Sequence, residues 1–124
     1  MKPGKTGLRR LLDASGYSWK GLRAAFKYEA AFRQELLLTV AGVVAAYFVA
    51  RDLLQFLLLV APLIILLIVE LLNSAIEAVV DRIGSEANEL SARAKDMGSA
   101  SVFMALVLVG FCWAIIIVDN YFIK

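Results

Sequence analysis

Histidine is absent from this chain, and cysteine occurs once, at Cys112. With a single cysteine no disulfide framework can form within the chain, and without histidine the usual His/Cys metal sites lack their ligands. Any metal bound here is therefore a hard cation held by carboxylates. Cys112 lies in an apolar run and reads as an inert packed thiol. Net charge is also scarce, only +2, so bulk electrostatics names no partner and a nucleic-acid partner is not expected. Residues 1–35 carry eight Lys or Arg and no uninterrupted apolar core before Leu36, which argues against a cleavable signal peptide and for a chain starting near Met1. There is no internal repeat, low-complexity tract or linker. Missing too are a Gly-x-x-x-x-Gly-Lys-[Ser/Thr] loop and the signatures of soluble protein kinases. Any phosphate site must be built from helix ends and charged loops.

What the chain has in excess is apolar residues: 61% of 124 are hydrophobic, and the mean hydropathy is +0.77. So short a chain cannot hide that much apolar surface inside its own core, so the surface must meet lipid, other copies, or both. Charges divide the sequence into three stretches near the roughly 20 residues that cross a bilayer. They fall at about 30–50, 53–80 and 98–120; the first carries Arg33 and Glu35 in its opening turns, and Gly98 to Val118 carries no charge at all. The expected fold is an all-α integral membrane protein of one domain, 1–124, with three transmembrane helices and an N-terminal surface helix. Leu8, Leu11, Leu12, Ser15, Trp19, Leu22 and Phe26 form one helical stripe within 8–27, flanked by Arg9, Lys20, Arg23 and Lys27. That pattern suits a helix lying among lipid headgroups; Gly16 and Gly21 weaken its continuity, and a solvated leader folded on the protein's own loop is the alternative.

Eleven basic residues fall in the N-terminal segment and the 81–97 loop, against Arg51 and Lys124 on the other side. The N-terminus and that loop are therefore predicted cytoplasmic and the C-terminus outside. Tyr47, Phe48, Trp113, Tyr121 and Phe122 fall toward the outer ends of the spans, as an aromatic belt does.

The second span carries the informative pattern, with polar residues at Glu70, Asn73, Glu77 and Asp81. At helical spacing the three acidic side chains project within about 40° of one another, with Asn73 about 60° to one side. Carboxylates at membrane depth are costly and point to function; the competing reading is a polar seam that binds helices together. Glu77 is about 10 Å nearer the cytoplasm than Glu70. This suits Glu77 to a charged cytosolic ligand and Glu70 to a lipid head. Lys95 and Asp96 precede the third span on the same membrane face, and Glu89 and Arg93 read as an ordinary i,i+4 pair.

Four segments resemble the prokaryotic diacylglycerol kinase family of Gram-negative inner membranes: Gly16 to Ala25, Glu29 to Glu35, Val69 to Glu86, and Ala94 to Ala100. The run from Glu70 to Glu86 is the most specific. The resemblance implies transfer of the ATP γ-phosphoryl group to diacylglycerol, with Mg²⁺, in a homotrimer whose active sites lie between subunits. It implies Glu70 as general base with Asn73 near the reacting centre, and Glu29 and Glu77 on Mg²⁺. Arg10, Tyr17, Glu29, Glu77, Glu86, Ala87, Asn88, Lys95 and Asp96 are implied around the nucleotide. Arg10, Ala14, Ser15, Gly16, Tyr17, Ser18, Trp19, Arg23, Ala31, Phe32, Arg33, Gln34, Glu35, Glu70 and Ser99 are implied around the lipid. Ala87-Asn88 stand where relatives often carry an aromatic and a His, a departure that puts the adenine-side contacts of this loop in doubt but not the phosphate side. An undecaprenol kinase of the same fold is the nearest alternative, against which the match over 31–35 argues. A small proton-coupled transporter is the alternative from another class, and it has no use for Glu29, Lys95 and Asp96 at the cytoplasmic surface.

Overall fold

The computed structural model describes residues 6–84 and 88–123, and every regular element among them is helical. Helix α1 spans Gly7–Tyr28, α2 Ala30–Val49, α3 Leu53–Ile83 and α4 Glu89–Val118, the last followed by a π-helical turn over Asp119–Ile123. Helices α2, α3 and α4 are each long and apolar enough to cross a membrane. The most extensive packing is α3 on α4, then α2 on α3, while α1 touches α2 lightly.

Gly7, at φ +65°, turns the chain into α1 through a conformation that side-chain-bearing residues rarely adopt. The helix then runs unbroken through Gly16 and Gly21. Each glycine costs a helix interior about 1 kcal/mol, an expense spread here over 22 residues. Only Ala25 of this helix is buried, and Leu8, Leu11, Leu12, Trp19, Leu22 and Phe26 of the stripe are all exposed.

At Glu29 the backbone is extended, and this one residue separates α1 from α2. Arg33 holds the corner by donating from one guanidinium nitrogen to the carbonyls of Phe26, at 2.7 Å, and Lys27, at 3.2 Å. A cation is thus bonded to carbonyls that the last turn of α1 leaves unpaired. Phe32, Thr39, Gly42 and Ala46 form the buried face of α2, and Gly42 lets the Leu63 side chain rest on the α2 backbone.

Asp52 caps α3 by accepting from Gln55 N at 2.8 Å. At 31 residues α3 is about 46 Å long, well beyond the roughly 30 Å of bilayer hydrocarbon. Its polar end therefore reaches the headgroup layer. Pro62 lies inside α3 and cannot donate to the carbonyl one turn before it; nearby, Trp113 of α4 donates to the Leu59 carbonyl at 3.0 Å. Ala46, Leu59 and Ile116 form a small core there, with Phe56 and Trp113 packed on it.

The segment before the third span proves mostly helical. Asn88 accepts from the backbone N–H groups of Leu90 and Ser91 at 2.9 and 3.1 Å, so α4 starts at Glu89, nine residues before its uncharged run. Lys95 and Asp96 consequently sit on a helix rather than in a loop. Only 11% of the most apolar window of α4 is buried within the chain, against 28% for α3. Helix α4 is thus the more open of the two to lipid or to another copy.

A polar clamp closes the end of the bundle opposite the acidic stripe. Asn120 is 2% exposed; its amide donates to Val49 O at 3.0 Å and Gln55 Oε1 at 2.9 Å, and accepts from Gln55 Nε2 at 2.9 Å. Arg51 donates to the Asn120 carbonyl and lies over the Tyr121 ring. Removing one partner strands buried polar groups at about 1–3 kcal/mol each. Asn120→Ala is therefore expected to lower stability by about 2–4 kcal/mol, read from denaturant-induced loss of helical circular dichroism in mixed micelles. A change under about 0.5 kcal/mol, the scale of ordinary surface substitutions, would remove the clamp's structural role.

Candidate active site

Glu70, Asn73, Ser74, Glu77 and Asp81 occupy successive turns of α3, and α2 and α4 close on them from either side. Glu70 is 4% exposed and Ser74 9%; Asn73 and Glu77 are half-buried and Asp81 is exposed. The stripe thus passes from the covered interior to the helix end. Ser74 Oγ donates to Glu70 Oε2 at 3.4 Å, and Asn73 Nδ2 donates to Glu77 Oε1 at 3.3 Å. From α2 the Glu35 carboxyl faces that of Glu70, with Glu35 Oε2 buried and given no donor. From α4, Lys95 Nζ reaches Asp81 Oδ1 at 2.7 Å. Both partners of that pair are substantially solvated, so the bond contributes little to stability.

Glu29 opens on the far flank of the stripe. It lines a cleft of about 770 Å³ between α1 and α3, together with Ser18, Leu22, Ala25, Ser74 and Ala78. Glu77 lies about 60° around α3 from Ser74, on the flank that carries Asn73. Among the described residues no group of three or more His, Cys, Asp or Glu side chains could hold a metal ion. Glu29 and Glu77 remain two single oxygen donors on separate flanks.

The other residues singled out from sequence fall into three groups. Arg10, Ala14, Ser15, Gly16, Tyr17, Ser18, Trp19 and Arg23 all lie on α1, where the Ser15 and Ser18 hydroxyls turn back to bond Leu11 O and Ala14 O. Ala31, Phe32, Arg33, Gln34 and Glu35 form the first turns of α2, with Phe32 4% exposed and packed inward. Asn88 caps α4 with its side chain, and Asp96 and Ser99 are exposed on that helix. Glu86 and Ala87 lie outside the described residues.

Sequence reading missed three participants. Ser74 could have been found as the i+4 partner of Glu70. Asp81 was seen as part of the stripe but not as the partner of Lys95, because the pairing crosses between helices. Gly98 of α4, whose backbone lies against the Asn73 side chain, falls within the segment Ala94 to Ala100 but carries no side chain to single it out.

The sequence profile of the family described as prokaryotic diacylglycerol kinase matches residues 16–117. Among curated proteins, the diacylglycerol kinase of Escherichia coli strain K12 is 52% identical over 116 residues, covering 94% of this chain and 95% of the relative. The diacylglycerol kinase of Pseudomonas aeruginosa is 50% identical over 114 residues, covering 92% and 93%. That of Haemophilus influenzae is 47% identical over 108 residues, covering 87% and 92%. With half its residues shared over nearly full length, and with three helices able to cross a membrane, the chain belongs to the prokaryotic diacylglycerol kinase family and is a multi-pass membrane enzyme of it.

Proposed function

We propose that this enzyme transfers the γ-phosphoryl group of ATP to the hydroxyl of diacylglycerol at the cytoplasmic membrane face, giving phosphatidate and ADP. The observation that carries this reading is the buried carboxyl of Glu70, set about two turns below Glu77 on a stripe that ends beside Lys95. That order suits a lipid hydroxyl held in the membrane under a nucleotide held at its surface. Glu70 accepts the hydroxyl proton as the lipid oxygen forms its bond to the γ-phosphorus, and the bond to the bridging oxygen breaks with its electron pair leaving on ADP. Lys95 moves from Asp81 to a phosphate oxygen as a point charge.

Glu29 and Glu77 would hold Mg²⁺; when bound, the ion would supply charge neutralisation and alignment of the phosphates. Hard oxygen donors, and no competing nitrogen or sulfur ligands, fit that ion. Asn73 orients the Glu77 carboxylate through its amide. Arg10, Tyr17, Glu86, Ala87, Asn88 and Asp96 remain the proposed nucleotide neighbours, and the α1 segment 14–19, Arg23, the α2 turns 31–35 and Ser99 the lipid neighbours.

The domain is proposed as a single unit, 1–124, that assembles as a homotrimer with active sites between subunits. The apolar stripe of α1 and the thin coverage of α4 support assembly, as does the placement of Glu29 and Glu77 on different flanks. Proposed orientation in the bacterial inner membrane follows the eleven-to-two basic bias, with the C-terminus outside. An impermeant maleimide applied to intact cells, with single cysteines introduced into a Cys112→Ala background, reads it directly.

The test of function is ATP consumption by the purified protein in mixed micelles with Mg²⁺, supplied with diacylglycerol or undecaprenol. Turnover on diacylglycerol supports the proposal. Preference for undecaprenol moves the enzyme to the sister activity, and turnover on neither sinks both.

The corner at Glu29 carries its own prediction. Arg33→Ala releases the two carbonyls at the end of α1 and frees the backbone that positions Glu29. The Mg²⁺ concentration for half-maximal rate is expected to rise about 10-fold, the scale of losing outer support to a metal ligand. Arg33→Lys is expected to recover part of it, because one ammonium nitrogen can also donate to both carbonyls but sits on a stem of different length and shape. An unchanged Mg²⁺ dependence in Arg33→Ala would detach the corner from the metal site.

A further inference from the structure

Gly98 lies three residues beyond Lys95 on α4, so the two share a face of that helix. Lys95 reaches Asp81. Gly98, buried, meets Asn73 two turns farther into the membrane along α3. Both contacts therefore belong to one α3–α4 seam along the acidic stripe.

The Asn73 amide is used asymmetrically. Its nitrogen donates to Glu77 Oε1 at 3.3 Å, while its oxygen is buried without a hydrogen-bond partner and turned toward the Gly98 backbone. A Cβ on residue 98 would run into Asn73 Oδ1 and come within 3.3 Å of Asn73 Cγ. The amide cannot yield by flipping, because that sets its oxygen against the Glu77 carboxylate. Gly42 differs: there a Cβ meets only the flexible end of Leu63. Around Gly7, Gly16, Gly21 and Gly110 there is open space. Among the glycines so described, Gly98 alone touches a polar side chain of the stripe.

We infer that Gly98 is a positioning residue for phosphoryl transfer: its missing side chain lets α4 close on Asn73 and keeps that amide aimed at Glu77. The inference deepens the function proposed above and rests on the role given there to Glu77. It predicts that the smallest possible addition, one methyl group, displaces Asn73 and misaligns Glu77.

The experiment compares wild type, Gly98→Ala, Asn73→Ala and the double variant, in mixed micelles with diacylglycerol and Mg-ATP. Gly98→Ala is expected to lower kcat about 100-fold, the scale of a misplacement near 1 Å, and to raise the Mg²⁺ concentration for half-maximal rate. In the Asn73→Ala background the same change is expected to alter kcat less than about 2-fold, because the group it acts through is gone. Independently of turnover, the Asn73 side-chain amide resonance in Mg²⁺-free protein, identified by its loss in Asn73→Ala, is expected to shift in Gly98→Ala. If Gly98→Ala does not fold, the double variant is expected to fold, since removing the Asn73 amide vacates the space the methyl needs. Equal effects of Gly98→Ala in both backgrounds, an unmoved Asn73 amide, or failure to fold in both would overturn the inference. A wild type without lipid-dependent turnover sinks the kinase reading instead, and the Asn73 resonance alone then decides whether Gly98 positions that amide.

Discussion

Glu70→Gln is expected to lower kcat on diacylglycerol by about 10³-fold, in the middle of the range that a positioned general base contributes. Glutamine keeps the size of the side chain and can still accept from Ser74 Oγ, which donates to Glu70 Oε2 in the native protein. What it loses is the capacity to take the hydroxyl proton. Water cannot readily substitute, because Glu70 is 4% exposed and one oxygen of the facing Glu35 carboxyl is buried as well. The KM for Mg-ATP is expected to stay within about 2-fold, since the substitution removes an interaction made in the transition state rather than one that binds nucleotide. Steady-state kinetics with thermal unfolding in the same micelles measures both. Retention of a tenth or more of wild-type kcat would remove Glu70 from the role of base and leave it as a packing carboxylate.

Glu77→Gln is expected to fail differently. Its carboxylate accepts from Asn73 and is proposed to hold Mg²⁺, so its amide counterpart loses both the negative charge and a hard oxygen donor. The rate at ordinary Mg²⁺ is expected to fall about 100-fold, with the half-saturating Mg²⁺ concentration raised at least about 10-fold. Excess Mg²⁺ should restore part of the lost rate in Glu77→Gln and none of it in Glu70→Gln. This contrast separates a metal ligand from a proton acceptor on the same helix face. Equal behaviour of the two variants toward Mg²⁺ would refute the division of labour.

Asn73 links these predictions to the rest of the bundle. Its amide touches Glu77 on its own helix and the Gly98 backbone on α4. A disturbance of the α3–α4 seam is therefore expected to resemble a weakened Glu77, not a lost Glu70. The Mg²⁺ titration distinguishes these signatures without any further structure.

Much of the architecture was legible because local chemistry sets it. Apolar stretches of about bilayer length located α2, α3 and α4, and the stripe of Leu8, Leu11, Leu12, Trp19, Leu22 and Phe26 announced α1. The polar period at Glu70, Asn73, Glu77 and Asp81 marked one face of α3, and the segment through Glu86 carried the family resemblance. Helix limits were less legible. Helix α4 begins at Glu89 because Asn88 caps it, and hydropathy does not detect a helix that continues into polar surroundings. Gly16 and Gly21 did not divide α1, since single-residue propensity is a weak term in a long helix.

The sequence by itself determined the membrane-spanning character, the acidic face of α3 and the chemical types available for phosphoryl transfer, because each follows from composition or from spacing within a helix. Only the tertiary structure decided that Lys95 meets Asp81, that Arg33 ties down the end of α1, that Gly98 admits Asn73, and that Asn120 closes on Val49 and Gln55. Most of these contacts join separate helices, and the last spans up to 71 positions. They depend on how the helices cross and in what register, which packing fixes and periodicity within one helix does not contain.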